Sequence, residues 1–87
     1  MNIEIRKSFE RDAMKLPPTK KKELAEIIDK IKVAKKLSEL SSCKKLVGFK
    51  NAYRIRSGSY RIGFFFENET VELVRILDRK NIYRYFP

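Results

Sequence analysis

Apolar residues in the first half of the chain recur first with the period of a strand and then with that of a helix. Ile3 and Ile5 alternate with polar residues, which predicts a short strand with one buried face. Beyond them, apolar positions at i, i+4 and i+7 predict a short helix with Ser8 as its N-cap. These positions are Phe9, Ala13 and Leu16.

A second, longer helix follows a proline pair. Pro17 and Pro18 end the first helix because proline lacks an amide hydrogen and its ring blocks the preceding turn. Thr19 is the predicted N-cap of the next helix, from about Lys20 to Lys36, whose opposite face carries lysines and acids. Its apolar face is formed by Leu24, Ile27, Ile28, Ile31 and Ala34.

From Ala52 onward the hydrophobic period changes from 3.6 to 2, after an irregular stretch over residues 37–51. Three strands are predicted, separated by turns at 57–59 and 67–69, and Gly58 suits the first turn because glycine readily adopts positive φ. The chain leaves the sheet at Asp78 and ends in a helical turn or a final pairing segment. The predicted strands cover residues 53–56, 60–66 and 70–77.

This order of elements predicts an α+β fold of two layers, β-α-α-β-β-β, with a mostly antiparallel four-stranded sheet packed against two helices. At 87 residues the chain is expected to form a single domain, residues 1–87. The helices cover one face of the sheet, and the other face is left to water or to a ligand.

The charge balance indicates the class of partner. The chain has 21 Lys and Arg against 11 Asp and Glu, a formal net charge of +10. A folded domain this basic is expected to bind a polyanion, and nucleic acid is the first candidate.

Several classes of chemistry are excluded by missing residues. There is no histidine, which rules out His-based metal sites and Ser-His-Asp or Cys-His pairs. Cys43 is the single cysteine and is expected to be a half-buried small side chain rather than a nucleophile. No phosphate-binding glycine loop occurs, so neither a metal nor a small-molecule cofactor is expected. No apolar stretch can span a membrane and no export signal is visible, so the cytoplasm is the expected compartment.

Arginines follow the strand period in the predicted meander. Arg54 and Arg56 leave the same side of one strand, and Arg61 lies on its hairpin partner. If the register places Arg61 on their face, the three form a phosphate-binding surface, with Arg79 and Lys80 at the end of the next strand. The alternative is that these are solvated charges that deter edge-to-edge aggregation.

Aromatic residues at the end of the chain have two interpretations. Tyr83, Tyr85 and Phe86 flank Arg84 and offer surfaces on which unpaired bases can stack. The alternative is an apolar cluster that packs on the sheet, which we favour for Tyr85 and Phe86.

The second half of the chain resembles the RelE/ParE superfamily of bacterial type II toxins. The resemblance rests on the hairpin Tyr53-Arg54-Ile55-Arg56 to Tyr60-Arg61-Ile62, on the lead-in Lys45-Leu46-Val47-Gly48, and on the ending Asp78-Arg79-Lys80-Asn81-Ile82-Tyr83. The first half matches the superfamily in pattern only.

The resemblance implies a toxin that is neutralised by a cognate acidic antitoxin. RelE-like members cut messenger RNA in the ribosome, whereas ParE-like members inhibit DNA gyrase and lack the nuclease residues. By similarity to the RelE-like pattern we expect a metal-independent endoribonuclease whose partners are the ribosome and messenger RNA. Arg61, Arg79 and Tyr83 are then the expected catalytic residues. The expected RNA-binding and phosphate-binding residues are Arg54, Arg56, Lys50, Lys80 and Arg84. The alternatives are a ParE-like gyrase inhibitor and a non-toxic basic binding module.

Overall fold

A computed structural model describes all residues, 1–87, as a five-stranded sheet with helices on both faces. The strand order is β1-β5-β4-β3-β2, in which β1 runs parallel to β5 and the other neighbours are antiparallel. The predicted α+β class is therefore confirmed. In chain order the elements are β1 (Asn2–Ile5), α1 (Lys7–Met14), α2 (Pro18–Val33), a 3-10 turn (Leu37–Glu39), β2 (Cys43–Lys45), β3 (Ala52–Ser57), β4 (Tyr60–Glu67), β5 (Thr70–Asp78) and α3 (Ile82–Tyr85).

The sheet contains one strand more than the four predicted. β2 lies in the stretch 37–51, which the hydrophobic pattern left irregular, and it pairs with β3 through Cys43 opposite Ile55. A strand of three residues with the sequence Cys-Lys-Lys is too short to establish an alternation. It forms because β3 offers it an unpaired edge.

Both predicted helix caps were wrong. α1 begins at Lys7, and Ser8 lies inside it with its hydroxyl donating to the Val74 carbonyl oxygen at 2.6 Å. α2 begins at Pro18, so Thr19 belongs to its first turn. Proline suits the first helical position because the amide that it lacks would be unpaired there. None of the helices combines the length and the apolar character needed to cross a membrane.

Side chains of α1 complete the free edge of β5. β1 pairs with β5 only as far as Leu73, so the next residues of β5 need other partners. Asp12, which is buried, accepts a hydrogen bond from the Ile76 amide at 3.1 Å and two from the Arg75 guanidinium at 2.7 and 3.1 Å. Together with the Ser8 bond, these contacts attach α1 to the sheet.

The main core lies between the sheet and the two long helices. A bulge in β5 determines which of its side chains face this core. Gly63 pairs with Arg75 and Phe64 pairs with Leu73, so Val74 has no partner on β4. Leu73 and Ile76 can therefore both face the helices, and Arg75 stays out of the core. The buried residues of this core are Phe9, Leu16, Leu24, Ile31, Ile55, Ile62, Phe64, Val71, Leu73 and Ile76.

The outer face of the sheet is only partly open, contrary to the prediction that it is left to water or ligand. α3 packs on it through Ile82 and Phe86, which form a second buried cluster with Ala52 and Val74. The predicted packing of Phe86 is confirmed. The same prediction for Tyr85 was wrong, because that side chain is 54% exposed.

Candidate functional site

The register of the β3–β4 hairpin gathers three of the predicted site residues on one surface. Arg56 lies directly opposite Arg61, and Arg54 lies opposite Gly63. Tyr53 and Ile55 pack on the helix-side core, so the arginines that alternate with them face outward. Arg61 therefore joins Arg54 and Arg56 on the outer face, and these three residues form the arginine row. Residues two apart on a strand are separated by about 7 Å, which sets the spacing along this row.

These arginines carry charges that no acid in the chain neutralises. Arg61 donates to the carbonyl oxygens of Gly58 and Tyr60 at 2.8 and 2.9 Å, and Arg54 donates to that of Ser42 at 3.1 Å. Arg56 is exposed and forms no side-chain hydrogen bond. Only three of the 21 basic residues form ion pairs, and no predicted site residue is among them. The row therefore keeps its full attraction for an anion.

The turn after β5 brings Arg79 to the tip of the same hairpin. The Arg79 amide donates to the Ser59 carbonyl oxygen at 2.9 Å, and its side chain is exposed. Asp78 holds this turn by accepting from the amides of Lys80 and Asn81 at 2.9 and 3.0 Å and from the Asn81 side chain at 3.0 Å. Desolvation acts to raise the pKa of Asp78, but these hydrogen bonds and the Lys80 charge together hold it below its usual value.

Sequence reasoning missed two residues of this region. Asp78 is one, although an aspartate two residues before the amide that it binds is a recognisable turn signal. Lys20 is the other: its ammonium lies 5.9 Å from the centre of the Tyr60 ring and within 2.8 Å of the position a Cβ on Gly58 would occupy. No sequence signal identifies Lys20, because its place at the hairpin tip depends on how α2 crosses the sheet.

Tyr83 lies apart from the arginine row. It is 56% exposed, and its hydroxyl has no hydrogen-bond partner within the chain. It lines a groove of about 330 Å³, and it forms neither a hydrogen bond nor a cation–π contact with Arg61. The remaining predicted residues, Lys50, Lys80 and Arg84, are exposed around the groove and the turn after β5. The groove is lined by Leu46, Val47, Phe49, Tyr83, Phe86 and Pro87.

Acidic and basic side chains lie at opposite ends of the outer face. Glu4, Glu67 and Glu72 line a depression at the end away from the Gly58 turn, whereas the arginines occupy the end near it. No group of three His, Cys, Asp or Glu side chains is arranged to hold a metal ion. What the basic end can do is bind phosphate groups and stabilise extra negative charge on them.

Cys43 is half-buried in β2, as predicted. Burial raises the pKa of its thiol against the opposing charge of Arg54, so the thiol stays protonated at neutral pH. This environment is the opposite of the one that activates a cysteine nucleophile.

Comparison with known proteins gives the family. No family model matches the chain. It is 38% identical over 88 residues to Toxin RelE3 from Methanocaldococcus jannaschii, and the match covers 100% of both proteins. Among solved structures, it is similar to the RelB-RelE antitoxin-toxin complex from Methanococcus jannaschii, with a TM-score of 0.83, 36% identity, and coverage of 97% of this chain and 99% of that one.

The archaeal RelE-RelB complex from Pyrococcus horikoshii OT3 shares the fold, with a TM-score of 0.72, 21% identity, and coverage of 90% and 93% of the two chains. These matches confirm the predicted membership of the RelE/ParE superfamily and of its RelE-like branch rather than the ParE-like one. This chain belongs to the RelE family of toxins of type II toxin-antitoxin systems.

Proposed function

We propose that this toxin is an endoribonuclease that cuts messenger RNA on the ribosome without a metal ion. The observation that carries the proposal is the pairing of Arg56 with Arg61 across the hairpin, with Arg54 in the same row. Three guanidinium groups without acidic partners on one open surface suit a phosphodiester whose negative charge increases during the reaction.

The chemistry that fits this surface uses the RNA's own 2′-hydroxyl. That oxygen gives up its proton and attacks the adjacent phosphorus, and a 2′,3′-cyclic phosphate forms. The bond to the 5′-oxygen of the next nucleotide breaks, and that oxygen takes a proton from solvent and leaves as a hydroxyl. The arginines stabilise the charge on the phosphoryl oxygens, but guanidinium groups stay protonated and cannot take the 2′-hydroxyl proton. Arg61 and Arg79 are therefore assigned to charge stabilisation.

Tyr83 is the proposed proton acceptor, and Lys80 and Lys50 are the other predicted site residues that could transfer a proton. Because Tyr83 lies beside the arginine row rather than on it, the substrate itself must bridge the two. A ribosome that holds the message in the reactive conformation supplies that alignment, and alignment alone can contribute about 7–11 kcal/mol. This explains why naked RNA is expected to be a poor substrate.

Cleavage of a message on translating ribosomes, mapped by primer extension, tests the proposal. Wild-type protein should cut at the decoding site and leave naked RNA nearly intact. Arg61→Ala should lower the rate roughly 10²- to 10³-fold, the usual cost of one preorganised charge donor. The matched control is Arg11→Ala, which removes an exposed charge from the helix layer and should leave the rate unchanged.

Intact messages together with arrested supercoiling by gyrase would refute the nuclease and support a ParE-like activity instead.

Substitutions at Tyr83 separate its possible roles. If its hydroxyl carries the proton, Tyr83→Phe should lose about 10²-fold in cleavage while folding normally. A ring that only stacks on a base would leave Tyr83→Phe active and make Tyr83→Ala weak in substrate binding. A fully active Tyr83→Phe variant therefore contradicts the proton role.

We also propose an acidic antitoxin as the partner that silences the toxin. The net charge of +10 supports it, as do the antitoxin complexes of the related toxins. The lysines of α2 (Lys20, Lys22 and Lys30) and the arginine row are the two candidate docking surfaces. Association should slow markedly with added salt, because the field of the domain steers an acidic chain before contact. A rate that is independent of salt in stopped-flow measurements contradicts this mechanism.

A further inference from the structure

Three exposed hydrophobic residues meet in one groove beside the arginine row. Val47, Phe49 and Tyr83 are 96%, 48% and 56% exposed, and all three line the groove that holds Tyr83. The chain has only seven large hydrophobic residues with comparable exposure, so the clustering is not the ordinary scatter of apolar side chains over a surface.

The loop between β2 and β3 builds the outer wall of this groove. Its ends are joined by a hydrogen bond from the Leu46 amide to the Ala52 carbonyl oxygen at 2.8 Å, and Gly48 has a φ of +86° that favours glycine. The loop is thereby closed and directs Val47 and Phe49 outward rather than into the core. The fold therefore provides no internal partner for these side chains.

The groove and the arginine row lie on the same face of the sheet. The floor of the groove is Phe86, whose ring lies over Gly63, and Gly63 is the cross-strand partner of Arg54. Because the groove and the arginine row share this face, one polymer can contact both.

The charges around the groove select the chemistry of its ligand. No Asp or Glu occurs between Glu39 and Glu67, whereas Lys44, Lys50 and Arg54 lie in that stretch, and Lys44 pairs with Arg54 on the outer face. A partner for this surface must offer apolar area together with negative charge. Single-stranded RNA has both, because flat bases alternate with phosphates and the bases stack on exposed aromatic rings.

We propose that the groove binds an unpaired RNA base, stacked on Phe49, next to the nucleotide whose phosphate occupies the arginine row. The choice of RNA rests on the proposed function, and the new element is the base site formed by the β2–β3 loop. Phe49 is then a binding residue, and the groove gives the toxin a means of preferring one base over another at that position. An acidic amphipathic peptide is the competing occupant.

A fluorescence titration tests base binding without requiring cleavage. The chain contains no tryptophan, so Phe49→Trp introduces a single emitter at the groove. A short oligoadenylate should quench its emission, and an abasic phosphodiester of the same length should not, because only the former can stack. Met14→Trp, at an exposed site on the helix layer, is the control and should respond to neither. Equal responses to the two oligomers, or no response to either, would overturn the proposal.

Ribosomal cleavage distinguishes this proposal from the nuclease proposal beneath it. If wild-type protein cuts, Phe49→Ala should cut roughly 5- to 150-fold more slowly, the loss expected for one stacked base, and Phe49→Trp should restore the rate. Wild-type cutting with an unaffected Phe49→Ala variant overturns the base site alone. An alanine variant that cuts normally but escapes inhibition by an acidic antitoxin peptide assigns the groove to the peptide. If the wild-type protein does not cut, the nuclease proposal is wrong. The fluorescence titration then still decides whether the groove binds a base.

Discussion

Replacing Gly63 by alanine should destabilise the protein through a single steric contact. Gly63 lies in β4 with its backbone in the extended region, so alanine meets no conformational obstacle there. The added Cβ, however, lies 2.5 Å from two atoms of the Phe86 ring and 2.9 Å from a third. Ordinary contacts between carbon atoms are about 3.5–4.0 Å, so the ring must move by about 1 Å or more.

Two opposing terms set the size of the effect. Forcing an extra carbon into a packed contact costs about 1–3 kcal/mol, and Phe86 is 2% exposed and packed in the second buried cluster. Alanine regains about 0.5–1 kcal/mol because it loses less backbone entropy on folding than glycine. The net loss is centred on about 1 kcal/mol and reaches at most about 2.5 kcal/mol, and each kcal/mol lowers the melting temperature of a domain this size by roughly 4–8 °C.

A double-mutant cycle measured by urea unfolding tests the cause. With Phe86→Ala as the background the clash is gone, so Gly63→Ala should become stabilising by about 0.5–1 kcal/mol. This reversal of sign is specific to the Phe86 contact. Equal destabilisation by Gly63→Ala in both backgrounds would refute the reasoning and place the cost elsewhere in β4.

Three further predictions concern stability. Glu69→Gly should raise the free energy of unfolding by about 0.5–1 kcal/mol, because Glu69 has a φ of +58° in the β4–β5 turn and glycine adopts that conformation without strain. An unchanged or lower urea midpoint contradicts this prediction. Asp12→Ala should lower the free energy of unfolding by about 3 kcal/mol. This is the lower end of the range for breaking a buried ion pair, because the Arg75 side chain is 25% exposed. The control Asp29→Ala removes an exposed carboxylate and should change the free energy of unfolding by less than about 0.5 kcal/mol in the same assay. The native pKa of Asp78 lies below its unfolded value, so the stabilisation it provides is present above about pH 4 and is lost as the pH falls through the native pKa. The stability difference between wild type and Asp78→Asn should therefore shrink on acidification, and a difference that is constant with pH contradicts this assignment.

The main elements could be predicted because their signals are local. The apolar positions from Leu24 to Ile31 repeat with the helical period and are observed in α2, and the hairpin turn at Gly58 has the predicted positive φ. The sequence also identified the family, through the arginine hairpin and the Arg79 to Tyr83 ending, and the comparison with relatives confirmed it. Such features depend on residues that are close along the chain.

Other local features were decided by contacts with distant residues. Ser8 has the chemistry of an N-cap, yet its hydroxyl binds the Val74 carbonyl because α1 lies against the unpaired edge of β5. The bulge at Val74 is likewise invisible in the sequence, although it determines that Ile76 faces the core. In both cases the tertiary contact overrides the local preference.

The arrangement of the candidate site is the property that only the tertiary structure decided. The sequence determined that Arg54 and Arg56 share one side of a strand, since alternate residues of a strand always do. Whether Arg61 joins them depends on the hairpin register, and a slip of one residue would have sent it to the other face. The position of Tyr83 depends on Phe86 docking over Gly63, a contact between residues on separate elements. Strand pairing and helix docking are set by the packing of the whole domain, so neither could be predicted from any single segment of the chain.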